Sequence, residues 1–187
     1  MSQAEPLTEF QSPWNEDFIN PITFKALYDD KNLDFSFYVS DKDIYTDVSS
    51  HKDENIGNSD RVELFFRSDL ALNPYYCLEI DTAVRLMNFE ERPGKNFDFK
   101  WNWPKQDIKL ESTIHSTYFL VEGIISLKSL RDLNLLKGNK IETGVFRAKY
   151  KKNEFGQFTP TWITWVDPKT EEPNFHIASS FGLFHLE

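Results

Sequence analysis

Residues Asp60–Asp69 read "DRVELFFRSD", and their alternation decides the fold. Val62, Leu64 and Phe66 fall on one parity, with Arg61, Glu63, Phe65 and Arg67 on the other. Side chains of a strand alternate between its two faces, so this is a strand with one apolar face and one mostly charged face. The next segment, "YYCLEIDTAVRLMNFE" (75–90), continues the habit, and on a regular strand Tyr75, Cys77, Glu79 and Asp81 share a face. Carboxylates arrayed on a sheet face could bind sugar hydroxyls; the plainer reading is a row of charges turned toward solvent.

Working outward from this pair, β-branched and aromatic runs recur and long helical periodicity does not. Strands are predicted at 22–28, 33–39, 61–67, 75–81, 85–90, 108–115, 118–126, 142–150 and 181–186, and "DDKN" closes the first two into a hairpin. One short helix, "SLKSLRDLN", starts behind Ser126 as its cap. Nine short strands with turn signals between them predict an all-β fold, a two-sheet antiparallel β-sandwich of jelly-roll type, forming a single domain over residues 1–187. The shared core is expected to take Phe35, Phe37, Val39, Val62, Leu64, Phe66, Leu120 and Ile124. Two long connections, residues 40–60 and 92–107, stand out as functional candidates. Near the end, "TWITW" places Trp162 and Trp165 three residues apart, so alternation puts the indoles on opposite sides.

Composition narrows the function. Seventeen Phe in 187 residues fit a packed sheet protein, and a formal charge of −9 argues against nucleic acid and against an anionic membrane surface. No apolar run approaches the ~20 residues needed to span a bilayer. "MSQAEPLTEF" lacks the basic and apolar regions of a signal peptide, so the chain as written is expected to be cytoplasmic, or secreted or periplasmic if a leader has been removed. The single cysteine, Cys77, predicts no internal disulfide and no Cys-based zinc site, and the inert buried thiol is its plain reading. The four histidines, His51, His115, His176 and His185, are scattered without metal-ligand spacing. No G-x-S-x-G, H-E-x-x-H, P-loop or Rossmann pattern is present. A glycosidase would need two carboxyl groups across a cleft; Glu63 and Glu79 could face one another on adjacent strands, although many sandwich faces carry such pairs without chemistry.

Several segments in order carry a resemblance: "PWNEDF", the "F.A.YDDKNLDFSFYVSD" hairpin, "DRVELFF", "YYCLEID", "VEGIISLKSL", "GVFRAKY" and the closing "TWITW.DP....P.FH.ASSFG". Together, from about Trp14 to the C-terminus, they are similar to family 9 carbohydrate-binding modules. That resemblance implies a β-sandwich that binds ends of plant polysaccharides such as xylan or glucan without catalysis, often beside xylan-degrading enzymes, with structural calcium in some members. It also implies a sugar held between two tryptophans with polar side chains around it. Carried over residue by residue, the ligand set is Glu63, Glu79, Asp81 and Arg147 with Trp165 as one jaw, Trp162 being the less favoured occupant of that place. The other jaw falls in "ENIGNSD", which has no aromatic residue; Trp101 or Trp103 from "FKWNWPK" either substitutes for it or lids the sandwich edge.

These residue types suit the task, because indoles stack on the C–H face of a sugar ring while carboxylates and arginine bond its hydroxyls. One stacked ring contributes only a few kcal/mol at roughly 25 cal/mol per Å², which predicts micromolar to millimolar affinity. Calcium would draw oxygen ligands from Asp41, Asp43, Asp47, Asp53, Glu54 and Asp60, but no EF-hand spacing is present and a solvated acidic loop is the plainer reading. The expected partner is an oligo- or polysaccharide and the expected state a monomer. A glycoside hydrolase, and a module that has lost its sugar and binds protein instead, are the alternatives. The tail "PNFHIASSFG" is expected to lead a last strand beside an early one, anchored by Phe175 and Phe181.

Overall fold

The computed structural model describes residues 4–16, 18–49 and 53–186, the side chains of residues 53–55 excepted. Its strands are β1 (Ile22–Tyr28), β2 (Asn32–Ser40), β3 (Arg61–Arg67), β4 (Tyr75–Asp81), β5 (Leu86–Arg92), β6 (Asn96–Asp98), β7 (Ile108–Ile114), β8 (Tyr118–Ser126), β9 (Leu136–Lys137), β10 (Lys140–Lys152), β11 (Phe158–Thr164) and β12 (Gly182–His185). Helix α1 (Leu127–Asp132) follows Ser126, whose hydroxyl accepts the Ser129 N–H as a cap. Two antiparallel sheets result: a smaller one in the order β1-β2-β8-β7, and a larger one in the order β11-β10-β3-β4-β5-β6, with β9 and β12 also paired to β10. The expected sandwich is therefore what the chain forms.

Between the sheets, Phe35, Phe37, Val39, Val62, Leu64 and Phe66 are buried as expected. Leu120 and Ile124 are a correction: on β8 the inward side chains are Phe119, Val121 and Ile125, and Leu120 and Ile124 turn outward with Glu122. Both parities of "YFLVEGIIS" are apolar, so alternation alone could not choose between them. Gly123 settles the choice, because a Cβ there would lie 2.2 Å from the Phe35 ring.

A second correction concerns the charged face of β3 and β4. Every residue of both strands is buried, because the outer face of the larger sheet carries a second apolar cluster of Phe65, Tyr75, Cys77, Phe89, Phe146, Phe175 and Phe181. Phe175 and Phe181 come from the tail, which folds back across the sheet and buries the row of charges expected to face solvent. β12 then pairs with β10, a late strand, rather than an early one, although Phe184 does stack on Phe24 of β1 with ring centroids 5.6 Å apart. Among the described residues no helix is long and apolar enough to cross a membrane.

Candidate functional site

Antiparallel register places Glu63 on β3 directly opposite Glu79 on β4, both on the outer face of the larger sheet. Arg61, two residues before Glu63 and so on the same face, brings its Nε to 2.8 Å from Glu63 Oε1 and 2.6 Å from Glu79 Oε2. All three are buried, at 5 %, 1 % and 5 % exposure. One N–H cannot satisfy two carboxylate oxygens, and none of the three atoms has a hydrogen bond of good geometry. Burial, then the charge of Glu79, raises the Glu63 carboxyl to about 8, with Arg61 opposing, so at neutral pH Glu63 keeps its proton. Burial works against the Arg61 charge, but the two glutamates outweigh it and hold its proton more tightly than usual.

Trp162 stands next to this trio. Its β11 position pairs with Ala148 of β10, which puts the indole on the outer face, half-buried, with the Arg61 guanidinium 5.4 Å from the ring centroid and Phe175 packed edge-on at 5.6 Å. Arg61 is fixed further by donating from Nη1 to the Gly57 carbonyl at 3.0 Å, and the Tyr150 hydroxyl donates to the same oxygen. The 3-10 segment Asp53–Asn58 that carries Gly57 packs against β4 and β5 and closes this end of the face.

Of the predicted site residues, the structure brings only Glu63 and Glu79 together. Trp165 lies on the opposite side from them, packed on Phe184 at 5.6 Å over Gly182, where a Cβ would meet its ring at 2.4 Å. Trp162 and Trp165 do point to opposite faces, but it is Trp162 that meets the glutamates. Arg147 pairs with Val62 and Ile163, so it points into the sandwich and cannot reach them. Asp81 shares their face, yet its carboxylate is spent on the Ala83 and Arg85 N–H groups, both at 3.0 Å, and on the Arg85 guanidinium at 2.6 Å, holding the turn before β5. Trp101 and Trp103 wrap around the edge of the larger sheet into the inner core; Trp103 is buried and donates to Ser129 Oγ at 3.0 Å, and Trp101 packs on Tyr76. They form no wall beside Glu63. Arg61 was legible as a residue sharing the Glu63 face. Its bond to Glu79 and its stacking on Trp162 depend on strand pairings between distant segments.

Two of the expected calcium ligands, Asp41 and Asp60, meet elsewhere, where the inner face of β10 meets the loop after β2. There Lys149 Nζ lies 3.1 Å from Asp41 Oδ2 and 2.8 Å from Asp60 Oδ2, and also donates to the Asp43 carbonyl, while Arg147 pairs with Asp41. Asp60 also accepts the Tyr150 N–H at 2.6 Å, and Asp47 accepts the Ser49 N–H at 2.9 Å. The residues do not suit calcium, since the converging oxygens already hold an ammonium and a guanidinium. The side chains of Asp53 and Glu54 lie outside the described residues, as does His51.

The two-sheet antiparallel sandwich is an architecture shared with carbohydrate-binding modules of known structure. The chain belongs to the family described as carbohydrate family 9 binding domain-like, whose model matches residues 4–187. Among solved structures it is similar to a candidate carbohydrate-binding protein from Bacteroides uniformis ATCC 8492, with 16 % identity, a TM-score of 0.73, and 99 % of this chain and 86 % of that one covered. It is also similar to a family 9 module from Caldicellulosiruptor kristjanssonii in complex with glucose, with 14 % identity, a TM-score of 0.58, and 96 % and 84 % covered. The same organism's module in complex with cellotriose gives 15 % identity, a TM-score of 0.61, and 100 % and 84 % covered. No curated protein matches the chain.

Proposed function

We propose that this domain binds a carbohydrate on the outer face of the larger sheet, with Trp162 as its stacking surface. The observation that carries the reading is the half-buried Trp162 ring held beside the Arg61 guanidinium, which Glu63 and Glu79 fix in place beneath it. An indole held in one orientation by a fixed neighbour is pre-organised for stacking on a sugar ring. Modules of this family from another organism bind glucose and cellotriose, which supports a gluco-oligosaccharide, with xylo-oligosaccharides next in line.

Glycoside hydrolysis is disfavoured by the same geometry. Glu63 and Glu79 both point at one Arg61 nitrogen, leaving no room for a glycosidic bond between them. A protein-binding role draws its support from the closure of this face by the Gly57 segment. The discriminating experiment is a glycan array on the purified chain, followed by product analysis of each hit. Retained, unhydrolysed cello- or xylo-oligosaccharides are expected; an empty array favours the protein-binding role, and released shorter sugars would make the domain an enzyme.

A further inference from the structure

At the other end of the outer face, three side chains of metal-ligating type converge under the tail. Cys77 lies on β4, Glu91 on β5 and His176 on the tail, and one ligand atom from each lies within 4.8 Å of the other two. Cys77 is fully buried and Glu91 is 2 % exposed. Glu91 Oε2 sits 2.6 Å from His176 Nδ1, yet it has no hydrogen bond of good geometry, so a buried carboxylate oxygen is left unsatisfied and faces the imidazole. The Tyr75 hydroxyl is 2.9 Å from the same ring nitrogen.

We propose that Cys77, Glu91 and His176 form a binding site for a thiolate-seeking divalent transition metal of the zinc type. A thiolate, an imidazole and a carboxylate are the three ligand classes zinc takes, and a tetrahedral ion with bonds of about 2.0–2.3 Å spaces its ligands roughly 3.3–3.8 Å apart; the three groups lie within 4.8 Å of one another, and the 2.6 Å contact between Glu91 and His176 would open to admit the ion. The thiolate excludes calcium and magnesium, which take oxygen ligands. Three protein ligands leave a fourth position for water or for the Tyr75 oxygen beside them. Phe65 and Phe97 flank the imidazole, with centroids 5.2 and 5.4 Å away, and shelter the site. His176 retains 24 % of its side-chain surface and marks the way in. Binding would release the thiol proton to solvent. The site would clip β4 and β5 to the tail that covers them, and it requires no sugar.

The test is titration of the reduced full-length chain with Co2+, followed by displacement with Zn2+. A near-ultraviolet thiolate-to-cobalt charge-transfer band saturating at one ion per chain is expected, lost on adding zinc. Cys77→Ser should abolish the band, and His176→Gln and Glu91→Gln should each weaken affinity at least tenfold. If Cys77→Ser does not fold, the other two variants decide. A folded wild-type chain with no such band, or His176→Gln and Glu91→Gln variants with unchanged affinity, would overturn the site.

Discussion

The larger sheet carries a buried charge cluster on each face, and the two are built differently. On the inner face, two cations, Arg147 and Lys149, meet two carboxylates, Asp41 and Asp60, and both carboxylates also accept backbone N–H groups. On the outer face one cation, Arg61, meets two carboxyls through a single nitrogen, and the oxygens that face it lack well-formed hydrogen bonds. The inner cluster has its acceptors filled, and its spare donors, Arg147 Nε and Nη1, belong to a guanidinium 5.7 Å from the Phe119 ring. The inner cluster sets two cations against two carboxylates, whereas the outer one gathers two carboxyls on a single guanidinium nitrogen beside a half-buried indole.

The largest expected effect breaks the inner cluster. Arg147→Met leaves Asp41 buried with one cation fewer, and denaturant unfolding should show a loss of about 3–5 kcal/mol. A loss below about 1 kcal/mol would erase the contrast between the faces. Next comes Trp165→Ala, which removes an indole packed on Phe184 and should cost about 3 kcal/mol in the same assay.

The outer cluster should respond to pH instead. Glu63 binds its proton more tightly folded than unfolded, so folding takes up a proton between the ordinary value of 4.5 and about 8. Its contribution to stability is therefore complete below pH 4.5 and is lost as pH rises through about 8. Glu63→Gln removes that dependence. Melting temperatures of the variant and wild type should diverge in favour of the variant between pH 5 and 9, and parallel curves would place an ordinary carboxyl at position 63. The smallest effect is expected from EDTA. Because Lys149 fills the Asp41–Asp60 site, chelation on a chain freed of zinc-type ions should leave the melting temperature unchanged, and a drop restored by calcium would contradict the assignment.

How much could be read beforehand differs between these regions for one reason. β1, β3 and β4 were legible to the residue because the alternation was strict or the strand ended at clear turns. β8 was located correctly but turned over, since Leu120 and Ile124 are as apolar as Phe119 and Ile125. β11 escaped the list of strands because Pro160 interrupts it, which an edge strand tolerates. At the candidate site, sequence could say that Glu63 and Glu79 might share a face and that the two indoles of "TWITW" must part. It could not say which indole goes inward, because that follows from the pairing of Trp162 with Ala148 and of Ala148 with Arg61. The burial of the charged row was hidden for a similar reason, as the tail that covers it lies about a hundred residues further along the chain.

The direct test of the outer face is calorimetric titration of cellotriose into three proteins: wild type, Trp162→Ala and Trp165→Phe, the last chosen to keep the inner packing. Wild type and Trp165→Phe should bind with similar micromolar to millimolar affinity, and Trp162→Ala should give no heat of binding while melting cooperatively. Undiminished binding by Trp162→Ala, or its loss in a folded Trp165→Phe, would put the sugar on the other side of the sheet.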